Sequence, residues 1–121
     1  MMEAKIKLTK TMLDKSIIDA NKSVQQFLVE ELEHSFDELD AGDKMPVPSL
    51  YEDDTPTTVT FYKAKTRGDK RISIKNLRKF AEEGDTVKLR SEVVMIEDCI
   101  FDVRVIVYKE DDDQQGETVA A

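Results

Sequence analysis

Eight of the chain's eighteen Lys and Arg residues fall between Lys63 and Lys79, a stretch interrupted by one acid, Asp69. They are Lys63, Lys65, Arg67, Lys70, Arg71, Lys75, Arg78 and Lys79, with Ser73 and Asn76 among them. The stretch carries +7 in a chain of net charge −8, which leaves −15 for the rest. Ammonium and guanidinium groups neutralise phosphates, and hydroxyl and amide side chains hydrogen-bond phosphate oxygens or base edges. A charge split of this size implies one surface that attracts polyanions on a molecule that otherwise repels them. The expected chemistry is nucleic-acid contact, with DNA favoured. On this reading Arg67 and Lys70 ride a turn, Arg71 and Lys75 a strand edge, and Arg78 and Lys79 the helix that follows. A two-stranded ribbon of that kind fits a DNA major groove.

The other reactive residue types lead away from catalysis. Cys99 is the single cysteine and follows Glu97-Asp98. It has no partner for an internal disulfide, and adjacent carboxylates disfavour a thiolate. His34 stands among Glu30, Glu31, Glu33 and Asp37, the pattern of a solvated acidic helix end. The sequence contains no Gly-x-Ser-x-Gly, P-loop, dinucleotide fingerprint or metal-spaced His/Cys set. The expectation is a non-enzymatic module with no cofactor and no metal. Arg67-Gly68-Asp69 matches the integrin tripeptide, but Met1 to Lys5 lacks a signal-peptide core, so a glycine turn is the reading. No run approaches the ~18 apolar residues of a membrane span, and a cytoplasmic location is expected.

The elements that position these groups follow from periodicity. Lys5 to Thr9 alternates as a half-buried strand. Leu13, Ile17, Ala20, Val24, Phe27 or Leu28, and Leu32 recur at spacings of three and four. They predict one long amphipathic helix from about Met12 to Glu33, bent or broken near Asn21 and N-capped by Thr9 or Thr11. Its apolar stripe packs on a sheet or on a second copy, so a homodimer is compatible with the pattern. Pro46 and Pro48 demote Met45 to Tyr51 to an edge strand or loop. Thr57 to Lys65 and Lys70 to Ile74 form a hairpin around Gly68, with Val59 and Phe61 facing one way and Thr58, Thr60 and Tyr62 the other. Lys75 to Glu83 reads as a short helix ended by Gly84. Thr86 to Arg90 alternates as a strand, and Glu92 to Ile96 with Cys99 to Tyr108 make a hairpin about Glu97-Asp98. The predicted class is α+β: a curled antiparallel sheet or partial pseudobarrel with one long N-terminal and one short helix. Residues 1–109 form a single domain, and the acidic tail 110–121 is expected to be disordered.

Arg71-Ile72-Ser73-Ile74, the helix over Lys75 to Glu83 and Gly84-Asp85-Thr86-Val87-Lys88-Leu89 make a strand–helix–Gly-Asp–strand unit. Over about residues 62–90 this resembles the repeating element of DNA-binding pseudobarrel domains. These include the effector domains of certain restriction endonucleases, their plant transcription-factor relatives and swapped-hairpin bacterial regulators. The resemblance implies a DNA role for Lys65, Arg67, Lys70, Arg71 and Ser73. A second basic arm, which such domains carry opposite the first, is missing from this sequence.

The acids support an alternative. Residues 28–54 contain ten acids and one base, Lys44. Glu30, Glu31, Glu33, Asp37, Glu38, Asp40 and Asp43 would imitate phosphates and bind a basic protein surface. The chain would then act as an antagonist of a DNA-acting enzyme, in the manner of small phage-encoded inhibitors.

Overall fold

The computed structural model describes residues 2–109, so the expected tail 110–121 lies outside the described residues. The strands are β1 Glu3–Lys7, β2 Ile18–Asp19, β3 Lys44–Tyr51, β4 Pro56–Lys63, β5 Lys70–Ile74, β6 Thr86–Ile96 and β7 Cys99–Tyr108. The α-helices are α1 Lys10–Lys15 and α2 Lys22–Leu32. All seven strands join one curled half-barrel sheet in the order β1-β6-β7-β3-β4-β5-β2. Strands hold 45 % of the structure, which corrects the expected α+β class to a mainly β fold.

The long N-terminal helix does not exist. Ser16 ends α1 at φ 55, Ile18 and Asp19 pair with Ile72 and Arg71 of β5, and α2 begins afresh after Asn21. Adjacent β-branched residues, Ile17 and Ile18, favour extended backbone. Asn21 caps α2 by accepting from the Val24 amide at 2.9 Å, a better use of asparagine than a helix interior. Thr9 caps α1 in the same way, accepting from Met12 at 3.2 Å. The 3.6-residue spacing nevertheless identified core residues. Val24, Phe27 and Leu28 of α2 are fully buried against the sheet, and each such side chain contributes ~1.5–3 kcal/mol.

The second expected helix, Lys75 to Glu83, is only a 3₁₀ turn over Leu77–Lys79. Asn76 at φ 62 is left-handed, so no α-helix can run through it. Tyr51 and Thr57 hold the turn by donating to the Lys75 carbonyl, each at 2.7 Å, and Tyr51 stacks on Phe80. Burial pushes the Tyr51 hydroxyl up to about 12, against the Thr57 hydrogen bond, so it keeps its proton.

Nor is the sheet wholly antiparallel. β3 runs antiparallel to β4 over its length but meets β7 in parallel, and only through Ser49, Leu50 and Tyr51. A proline nitrogen cannot donate, so Pro46 and Pro48 turn that side of β3 away from β4 and toward β7. Pairing with β7 therefore starts only after Pro48. β3 is interior in strand order, yet half of it behaves as the edge that its prolines predict.

β6 and β7 form the expected hairpin. Glu97 and Asp98 both take positive φ, as a two-residue turn of the I′ type requires. A bulge between Ser91 and Val94 sets Glu92 and Val93 against the single residue Asp102. Arg104 fastens β7 to the β3–β4 turn, donating to the Tyr51 carbonyl, to Asp54 and to Glu92 at 2.6–3.1 Å.

The Gly84-Asp85 pair closes the approach to β6. Gly84 donates to the Leu8 carbonyl and Leu8 to that of Asp85, while the Asp85 carboxylate accepts from the Glu82 amide and Lys109. Burial pushes this carboxyl up, but the Glu82 amide and the Lys109 ammonium together hold it below its ordinary value. A depressed folded-state value means that the carboxylate stabilises the fold above the unfolded value near 4 and stops doing so as pH falls through the folded one. Asp85→Asn is expected to cost about 1–2 kcal/mol by urea unfolding at neutral pH. The gap from the natural chain should narrow as pH is lowered below about 4.

Candidate nucleic-acid interface

Strand register decides which cations meet. Lys44 pairs with Tyr62, Tyr62 with Arg71, and Arg71 with Asp19, which makes one row across β3, β4, β5 and β2. Val59, Phe61, Ile72 and Ile74 occupy the alternate positions and are buried, so this row lies on the face opposite the core. Arg71 lies 3.8 Å from Asp19 through Nε, and that nitrogen is buried without a hydrogen-bond acceptor.

The β4–β5 loop overhangs the row. Ala64 donates to the Asp69 carbonyl, Gly68 donates to that of Ala64, and Gly68 sits at φ 70. Asp69 receives both Arg67 and Arg71 at 3.3 Å. A second turn braces the first: Gly42 donates to the Lys63 carbonyl at 2.9 Å, and Lys63 donates to that of Asp43 at 3.3 Å. Gly42 sits at φ 93, and the Lys65 stem would lie 3.2 Å from any Cβ placed there.

Between these pieces lies an open concavity of about 460 Å³. Tyr62 and Ile17 give it an apolar part, Lys44, Lys63, Lys65, Arg67 and Arg71 border it as five cations, and Asp69 is the one acid among its described lining residues. The side chains of Lys44, Lys63 and Lys65 make no ion pair or hydrogen bond among the described residues. Three ammonium groups are thus available, and two guanidinium groups share one carboxylate.

The ten residues singled out in the sequence do not form one surface. Lys63, Lys65, Arg67 and Arg71 line the concavity. Lys70, on the other face of β5 from Arg71, donates to Gln25 of α2 at 3.4 Å; its strand partner Lys63 shares that parity and borders the concavity from the end of β4. Ser73 shares the outer face but pairs with Thr60, one row away. Lys75, Asn76, Arg78 and Lys79 sit beyond the other end of β5, roughly 17 Å from the loop for five residues of strand. Lys44, Tyr62 and Ile17 complete the concavity. Alternation assigned Tyr62 to the outer face correctly, whereas nothing in the sequence signals that Lys44 lies beside it.

Several acids of the alternative surface serve the fold locally. Glu31 accepts from the Met2 amide, Glu38 from the Ser35 amide, and Asp43 from the Asp40 amide. His34 lies 3.2 Å from Glu38 in an exposed i,i+4 pair. Hydrogen bonds from His34 and then Ser35 hold the Glu38 carboxyl below its ordinary value.

The chain matches no family model, and comparison with the curated proteins and the solved structures returns no match.

Gly42→Ala combines a strained φ with displacement of Lys65. It is expected to cost about 1–3 kcal/mol in denaturant unfolding and to shift amide resonances of residues 63–69.

Proposed function

We propose that this protein contacts nucleic acid through the concavity at the β4–β5 loop, as an accessory or regulatory module without catalysis of its own. The observation that carries the reading is the convergence of Lys44, Lys63, Lys65, Arg67 and Arg71 on one open site beside Tyr62, with Asp69 the one acid among its described lining residues. Phosphates sit against the three unpaired ammonium groups, and a base lies on the Tyr62 ring, where stacking is worth about 1–3 kcal/mol. DNA is the favoured ligand. The hairpin lies inside the sheet between β3 and β2 and does not project as a groove-reading ribbon would, which favours a strand laid across the site.

The chain's net charge of −8 opposes this binding at long range. Screening limits that opposition, because the Debye length is about 8 Å at physiological ionic strength. Local cations then dominate the contact, and affinity falls steeply as salt rises.

Replacing Lys44, Lys63 and Lys65 together by Ala should weaken binding of a labelled single-stranded DNA at least tenfold at low salt. It should also reduce the slope of log K against log salt by about 2, at ~0.7 per lost phosphate contact. The control Lys75, Arg78 and Lys79 to Ala should leave both unchanged. Equal losses in the two variants would show diffuse charge rather than a site, and no binding by the natural chain would overturn the reading.

A further inference from the structure

The sheet's least satisfied surface lies elsewhere, on the arm formed by the bulge and tip of the β6–β7 hairpin. Among the described residues four large apolar side chains are conspicuously exposed, and three of them are here: Val93 at 72 %, Met95 at 65 % and Ile100 at 51 %. Met95 and Ile100 are directly paired and lie on the face away from the core, since Val103 and Val105 of the opposite parity are buried. β3 pairs with β7 no further than Ser49, and beyond it Met45 to Pro48 face Val93 and Asp102 across an open cleft.

The charge order along this face is self-complementary. The tip carries Glu97 and Asp98, the middle is apolar, and the root carries Arg90 and Lys88. Among the described residues Glu3 is the one carboxylate paired with Lys88 and Arg90, at 3.5 and 2.9 Å, so one of these two cations is left over at the root. Tip and root lie about 10 Å on either side of the apolar middle at ~3.3 Å per residue. We infer that the arm is a homodimerisation surface: a second copy lies antiparallel on it about a two-fold axis through the Val93–Met95–Ile100 patch, each acidic tip over the other's Arg90. A two-fold contact needs this kind of pattern, in which a patch is complementary to itself. Asp102, on the same face at the bulge, is the acid brought nearest its own copy, and it limits the strength of the contact. Three apolar side chains make a small interface, so the dimer is weak and concentration-dependent.

Sedimentation velocity of the full chain from about 1 µM to 1 mM tests the proposal, with a midpoint expected in the micromolar range. Met95→Glu should abolish association. Asp102→Asn should tighten it several-fold. Glu97→Asn with Asp98→Gly removes the tip charges while supplying the pair that this turn prefers, and it should weaken association several-fold without loss of fold. A spin label on Cys99, which lies on the face opposite Ile100, should report one inter-protomer distance of roughly 25–30 Å, from twice the tip-to-axis span of about 10 Å combined with a sheet spacing of about 10 Å and the outward reach of the labels. A monomer throughout the range, or a dimer indifferent to Met95→Glu, overturns the inference. A dimer that loses affinity with Met95→Glu but ignores the tip charges overturns the antiparallel arrangement.

Discussion

Pro46 and Pro48 withhold two N–H groups from the side of β3 that faces β7, and much of the molecule's shape follows from that. Lys44 to Pro48 pairs only with β4, while Ser49 to Tyr51 pairs on both sides. The half-barrel is closed at one end of this seam and parted at the other. At the closed end Arg104 ties the Tyr51 carbonyl, Asp54 and Glu92 together with its side chain mostly buried. Hydrogen bonds from Arg104 to Asp54 and then Glu92 hold its pKa above the ordinary value, so it remains a cation at any pH the fold survives. At the parted end the outer half of β6–β7 loses its neighbour and becomes an arm. The same parting leaves Lys44 at the end of a strand paired on one side, free to approach the β4–β5 loop.

Charge in this protein is organised by register rather than by sequence neighbourhood. Cations adjacent in the chain go to opposite faces: Lys70 meets α2, while Arg71 meets the outer row. Lys44, from a stretch of ten acids in which it is the one base, joins the cations instead, because β3 pairs it with Tyr62. Asp69 makes the cluster tolerable. Arg67 and Arg71 close to each other without an intervening carboxylate would repel, and one shared acid holds both near the loop. The Arg67 pair is exposed and contributes little to stability, and with the part-buried Arg71 pair it serves to orient the side chains.

β1, β4, β5 and β7 were legible because they alternate in a fold that buries one face, whereas β2 was read as helix and β3 as an edge strand or loop. Val59, Phe61, Ile72, Ile74, Val103 and Val105 were assignable to the core from period two alone. The helical reading of Leu13 to Leu32 failed for a specific reason. Two short helices joined by a two-residue strand place apolar residues at nearly the same spacing as one long helix. The β-branched pair Ile17-Ile18 and the capping residue Asn21 were the signals against it. Lys75 to Glu83 misled in a similar way, since the left-handed Asn76 is invisible in a pattern of apolar spacing. Of the candidate site, the cations on the β4–β5 loop were legible and the partner across β3 was not. Pairing of distant strands is a tertiary fact that no local pattern encodes.

The parallel contact of β3 with β7 has a directional consequence. Lys44 begins β3 and Cys99 begins β7, so the basic concavity and the arm tip lie at the same end of the sheet, separated by the parted seam. Two chains joined antiparallel through their arms, as proposed, would carry their concavities at opposite ends of the pair, so that each would meet its ligand separately. Such a pair carries −16 in all, twice the charge of one chain. Beyond a Debye length that total counts for little, and within it the ligand meets mostly lysine and arginine. Salt is expected to act on the two proposed contacts to different degrees. It weakens the phosphate contacts through counterion release, whereas the apolar middle of the arm contact does not depend on charge. Self-association can therefore persist at ionic strengths that release the nucleic acid.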